Sequence, residues 1–152
     1  IGEGPGRDED QTGRPFVGRA GQLLDKMIGA IGLSREEVFI ANVVKCRPPM
    51  NRNPEPDEAA ACLPYLRSQF VLVSPKVIVL LGKVACRYVL GEEAPISRMR
   101  GHWIERKGIW FMPTYHPSAL LREPAKKREA WEDFKMVRDK LAEVGGIGKV
   151  QE

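Results

Sequence analysis

A three-layer α/β sandwich around a central, largely parallel sheet is the fold class this sequence predicts, as a single domain over residues 1–152. Two observations lead to it. Short apolar runs rich in β-branched residues alternate with segments whose apolar positions recur at helical spacing. The clearest run, Val-Ile-Val-Leu-Leu at 77–81, carries no polar residue, as expected of a strand covered on both faces. The chain has 152 residues, 43% hydrophobic and 29% charged, enough for one soluble domain with a core and too few for two ordinary ones.

The elements follow in order. Leu23, Leu24, Met27, Ile28 and Ile31 predict an amphipathic helix over 21–31. Ser34 with Glu37 has the form of a capping box and predicts a short helical turn. Residues 38–44 (Val-Phe-Ile-Ala-Asn-Val-Val) read as a buried strand, and the Pro/Asn-rich stretch 46–56 as a loop. Asp57 is placed to cap the next helix, with Pro64 expected to kink it and Ser74-Pro75 to end it. After the strand at 77–81, Gly82 opens a helix over 83–90. Two short strands, 103–106 and 109–113, flank a Lys107-Gly108 turn. A last helix spans 128–144, with Trp131, Phe134, Val137 and Leu141 along one face, before a frayed tail.

Ile1 runs straight into Gly2-Glu3-Gly4-Pro5-Gly6. It reads as the end of a buried strand followed by a glycine-rich turn, so a preceding segment with most of that strand is expected to lie outside this chain.

Net charge is +4, which suits a polyanionic partner without requiring one. The cations group as Lys45, Arg47 and Arg52; as Arg98, Arg100, Arg106 and Lys107; and as Arg122, Lys126, Lys127 and Arg128. Each group reads either as solvated surface or as a polyanion-facing patch. No apolar run approaches the roughly 20 residues of a membrane span, and no signal-peptide pattern is present, so a cytoplasmic monomer is expected. Three cysteines, Cys46, Cys62 and Cys86, argue against a disulfide framework and for thiols, metal ligation or burial.

In open α/β sheets, sites form beyond the carboxyl ends of the strands. Three features fall there: the glycine-rich turn after Ile1, the segment around Asn42, and Tyr115-His116-Pro117-Ser118.

Four blocks carry a resemblance to a known family: Gly2-Glu3-Gly4-Pro5-Gly6; Gly13-Arg14-Pro15-Phe16-Val17-Gly18; Asn42-Val43-Val44-Lys45-Cys46-Arg47-Pro48; and His116-Pro117-Ser118-Ala119-Leu120-Leu121-Arg122. In order and in spacing the chain resembles the family-4 uracil-DNA glycosylases, iron–sulfur enzymes that flip uracil out of DNA and hydrolyse its glycosidic bond. The partner so implied is uracil-containing DNA.

The residue types suit that chemistry. An amide at Asn42 accepts from uracil N3–H and donates to O4, a pattern that cytosine inverts. The resemblance makes Phe16 the stacking platform and assigns His116 the hydrogen bond to O2 of the departing base. It groups Glu3, Gly4 and Glu9 around the uracil, with Glu3 positioning water or bracing the turn, and Glu9 or the turn near Gly6 closing the pocket beside C5. Where relatives of the first family carry an Asp one place after Glu3, this chain has Gly4. Leu120 or Leu121 would wedge into the gap left by the flipped base. Ser118, Arg122, Lys45, Arg47 and Arg52 would meet DNA. Cys46 and Cys62 match two of the four thiolates of a 4Fe–4S cluster, while Cys86 reads as a core thiol.

Alternatives stay open at this point. The same fold without activity would be a nucleic-acid-binding relative. A relative that traps DNA covalently needs a histidine in its basic loop, and none lies between Asn42 and Asp57. A phosphate-binding α/β protein would need glycine spacings that the opening turn lacks.

Overall fold

A computed structural model of the chain describes residues 1–2, 18–42 and 56–145, the segment 56–63 by its backbone only. The first helix, α1 (Arg19–Ala30), turns Leu24, Met27 and Ile28 inward. A 3-10 turn (Arg35–Glu37) follows, in which Glu37 Oε1 accepts from the Ser34 N–H at 3.1 Å, the expected capping box. Helix α2 (Pro56–Val73) leads to strand β1 (Val77–Leu81), and helix α3 (Lys83–Leu90) leaves it. A one-turn helix, α4 (Ile96–Met99), precedes the hairpin of β2 (Ile104–Arg106) and β3 (Ile109–Thr114). Helix α5 (Pro117–Arg122), a 3-10 turn (Pro124–Lys126) and helix α6 (Lys127–Glu143) complete the fold.

Alternation along the strands builds the three layers. Val77, Val79 and Leu81 of β1, with Trp110 and Met112 of β3, face α1 and the apolar stripe of α6 (Phe134, Val137, Leu141). Ile78, Leu80 and Phe111 face Leu66 of α2 and Ala85, Cys86 and Leu90 of α3. Side chains that alternate at period two sort themselves between two cores, as a doubly covered strand requires.

β1 and β3 are parallel, with Leu81 opposite Thr114. β2 pairs antiparallel at the edge. Its turn puts Lys107 at φ 53° and Gly108 at φ 81°. Two consecutive positive φ values are the geometry of a two-residue hairpin whose twist matches its strands. On the other side of β1, the Ile1 nitrogen donates to Val79 O at 2.6 Å and Leu81 N donates to Ile1 O at 2.8 Å. Gly2 in turn makes a parallel bridge to Asn42. Among the described residues the ladder is therefore parallel from Asn42 to β3 and reverses at β2.

Several expectations shift. Residues 38–41 form no regular strand and Asn42 makes an isolated bridge to Gly2, while Val43 and Val44 of the expected strand lie outside the described residues. Asp57 is not the cap of α2, since the helix already includes Pro56. Proline suits a first helical position, where the missing N–H would have had no intrahelical partner. Pro64 lies inside α2, which is assigned as one helix through to Val73, where it ends as expected.

Cys86 is fully buried in the second core, and desolvation pushes its thiol from 9.0 up to about 11. Below pH 9 both folded and unfolded chains hold the proton. Between 9 and about 11 the unfolded thiol ionises first, so its contribution of about 3 kcal/mol is lost as pH rises through that window. The urea midpoint is expected to fall more steeply over this range in the parent than in Cys86→Ala. At pH 8 an alkylating reagent should label Cys86 only after unfolding.

Candidate active site

The register across the sheet brings Asn42, Gly2 and the strand end before His116 to one edge. Gly2 N donates to Ala41 O at 2.8 Å, Leu81 N donates to Ile1 O, and Gly82 N donates to Thr114 O at 2.9 Å. Asn42, Gly2, the Leu81-Gly82 junction and Thr114 thus form a row at the carboxyl ends of the parallel segments, with His116 two residues beyond. From the Asn42 segment to β3 is three inter-strand steps, about 14 Å at the usual spacing. Side chains reaching in from both ends can span a flat pyrimidine. Asn42 is 6% exposed, and its Oδ1 is buried.

His116 sits at the N-cap of α5, where Pro117 starts the helix and φ −66°, ψ 139° turn the chain out of β3. Its Nδ1 accepts from the Ser118 N–H at 3.1 Å and lies 2.8 Å from Ser118 Oγ. A backbone N–H only donates, so Nδ1 presents its lone pair and the ring proton belongs on Nε2. The cap therefore sets the tautomer, leaving Nε2–H as a donor.

Gly82, between β1 and α3, has φ 96°, and a Cβ added there would come within 3.2 Å of His116 Cβ. Only glycine combines that φ with so close an approach to the histidine.

Ser118 and Leu121 are partly buried, and Arg122 is exposed on α5. Leu120 is fully buried in the first core, which removes it as the wedge: its apolar surface is already committed to packing. Leu121 is the leucine left for that role. The basic groups also divide. Arg100, only 18% exposed at its side chain, is bound to Asp133 and Glu129, and Arg106 donates to Leu90 O at 2.8 Å and lies 3.6 Å from Glu92. Both are structural cations. Arg122, Lys127 and Arg128 remain exposed beside the His116 helix.

Thr114 and Asp133 were not singled out by sequence. Both are fully buried. The signal was there for Asp133: it occupies the apolar stripe of α6, between Ala130 and Val137, where a carboxylate needs a partner.

Glu3, Gly4, Glu9, Phe16, Lys45, Cys46, Arg47 and Arg52 lie outside the described residues, as does the side chain of Cys62, which belongs to α2. Cys86 does not fit a metal site, being a protonated thiol within an apolar core. Among the described residues no group of three or more His, Cys, Asp or Glu is placed to hold a metal ion. None of their helices is long and apolar enough to cross a membrane.

An apolar cavity of about 150 Å³ lies between α1, α2 and the segment at 38–41, lined by residues such as Leu24, Val38, Phe70 and Val79. Neither Asn42 nor His116 lines it, and it offers no charged group to orient a base.

The family model described as the uracil DNA glycosylase superfamily matches residues 1–135. A type-4 uracil-DNA glycosylase of Sulfurisphaera tokodaii is 49% identical over 148 residues, covering 91% of this chain and 67% of the relative. The protein of the same description from Thermotoga maritima is 44% identical over 151 residues, 95% of this chain and 78% of the relative. That from Archaeoglobus fulgidus is 46% identical over 145 residues, 90% of this chain and 73% of the relative.

Proposed function

The chain belongs to the uracil DNA glycosylase superfamily and within it to the type-4 family, and from that premise we propose that it excises uracil from DNA. Residues 1–152 act as a single glycosylase domain in this reading. The observation that supports it best is the convergence of Asn42 and His116 on one sheet edge, the histidine held with Nδ1 as acceptor.

The base must first leave the stack, at a cost of a few kcal/mol, which Leu121 offsets by filling the gap. Phe16 stacks on the extruded ring. The Asn42 side-chain oxygen accepts from N3–H and its NH₂ donates to O4. Glu9 or the turn near Gly6 borders the pocket near C5, where thymine carries its methyl. As the C1′–N1 bond breaks, its electron pair goes to uracil, and charge collects on O2 opposite His116 Nε2–H. A donor already aimed at developing charge stabilises the transition state more than the ground state. Water adds to C1′ and loses its proton, leaving an abasic sugar and free uracil. Glu3 positions that water or braces the turn. Ser118, Arg122, Lys45, Arg47 and Arg52 hold the DNA backbone.

In the same reading Cys46 and Cys62 contribute two thiolates to a 4Fe–4S cluster. When bound, the cluster would pin the basic segment 45–53; the hydrolysis moves no electrons. Cys46→Ala or Cys62→Ala is expected to abolish or weaken the brown visible absorbance, and Cys86→Ala to leave it intact. Colour that depends on Cys86 would overturn the ligand assignment.

The function itself is tested by incubating the protein with a uracil-containing oligonucleotide and measuring free uracil by chromatography. Release is expected from the uracil strand and not from a thymine control. Tight binding with no uracil released would instead identify a DNA-binding relative without activity.

A further inference from the structure

A buried ion network anchors the end of β3, two residues before the histidine. Asp133 of α6 is fully buried; its Oδ2 accepts from Thr114 Oγ1 at 2.7 Å and from Arg100 Nε at 3.0 Å, and its Oδ1 accepts from Arg100 Nη2 at 2.6 Å. Arg100 also reaches Glu129 Oε2 at 3.1 Å and, with Nη2, its carbonyl at 3.5 Å. A Cβ on Gly101 would lie 3.1 Å from Asp133 Oδ1, while Gly101 N donates to Pro113 O at 3.2 Å. The carboxylate is thus closed in on every oxygen.

The network's position gives it meaning. Thr114 is the last residue of β3; its carbonyl holds Gly82, which packs against His116. Pro113, Thr114 and Gly82 are therefore each tied down immediately before the chain leaves the sheet for His116. Buried ion pairs of this kind are a poor source of stability compared with apolar packing, because both charges lose their water. They do fix geometry, since a bidentate Arg–carboxylate pair tolerates little displacement. An electrostatic donor displaced by about 1 Å can lose about 10²-fold in rate.

We propose that Thr114, Asp133 and Arg100 are positioning residues for uracil excision, fixing the end of β3 so that His116 holds its place and tautomer. The inference rests on the glycosylase reading above. None of the three touches the base. They act through the strand end and through the Gly82–His116 contact.

The test compares Thr114→Val with Thr114→Ser. Valine keeps the shape and deletes the hydroxyl donor; serine keeps the donor. Thr114→Val is expected to lower the single-turnover excision rate about 10-fold, with affinity for uracil-containing DNA within about twofold of the parent's, and Thr114→Ser to restore most of the rate. The chain has two histidines, so the His116 imidazole nitrogens can be assigned in the free protein with a His102→Gln control. Their ¹⁵N shifts should move toward tautomer averaging in Thr114→Val and not in Thr114→Ser. Parent-like rate and shifts in Thr114→Val would overturn the proposal. Equal losses of rate and affinity, or a serine variant as slow as valine, would overturn it too by showing general disruption. If the parent releases no uracil, the functional reading falls, and the imidazole shifts alone then decide whether the network positions His116.

Discussion

Replacing His116 with alanine is expected to slow single-turnover uracil excision by about 10²–10³-fold, the usual consequence of removing one donor from a developing oxyanion. The effect should lie in the chemical step. Affinity for uracil-free DNA is expected to stay close to the parent's, because in the proposed mechanism the ring meets the base and not the backbone. One complication is structural: His116 is also the N-cap of α5, and alanine leaves the Ser118 N–H without that acceptor. Loss of a cap costs about 1 kcal/mol, too little by itself to explain such a rate change in a folded protein. His116→Asn separates the two roles. Asparagine is among the best N-cap residues but lacks the reach of the imidazole, so this variant should recover stability and remain slow. A rate indistinguishable from the parent's in His116→Ala would remove the histidine from the mechanism.

Asn42→Asp is expected to exchange selectivity rather than simply abolish it. An ionised carboxylate accepts from N3–H but has nothing to donate to O4, so excision of uracil should fall roughly 10–100-fold, the cost of one unmet polar group in a closed pocket. Cytosine presents an N4 donor where uracil presents O4, and its excision should rise above background. The position is 6% exposed, so part of the aspartate population will be protonated by desolvation, and a protonated carboxyl can donate. The uracil defect is therefore expected to grow as pH rises and the carboxyl ionises. Paired measurements on uracil and cytosine oligonucleotides at pH 6 and pH 8.5 check both claims. Unchanged uracil excision with undetectable cytosine excision would show that Asn42 does not read the base.

Much of the architecture was legible because local physics dictates it. A continuous apolar run at Val77–Leu81 leaves few options but a strand covered on both faces, and the helix bounds Lys83–Leu90 agree with those expected from Gly82 and the residues that follow. The capping box at Ser34 and the turn at Lys107-Gly108 are likewise matters of adjacent residues. Of the strand expected over 38–44, residues 38–41 instead pack apolar side chains into the core without forming a ladder, and Asn42 makes an isolated bridge to Gly2. Among the site residues, His116 and Asn42 stand out through their blocks. That the two share a sheet edge needed the register of Ile1, Gly2, Leu81 and Thr114.

Determined by the sequence alone, then, were the layers, the family resemblance, and the residue types able to read and release a base. These rest on periodicity and on contiguous blocks, which are properties of neighbours along the chain. Tertiary structure decided what each long or buried side chain is committed to: Leu120 to the core and not to DNA, Arg100 and Arg106 to carboxylates and a carbonyl instead of phosphates, and Nδ1 of His116 to the Ser118 amide. It alone revealed that Thr114 and Asp133, 19 positions apart, share a hydrogen bond at the root of the histidine. The reason is physical. A leucine or an arginine has the same chemistry wherever it stands, and only the atoms brought within a few ångströms of it by distant parts of the chain decide which of its possible interactions is made.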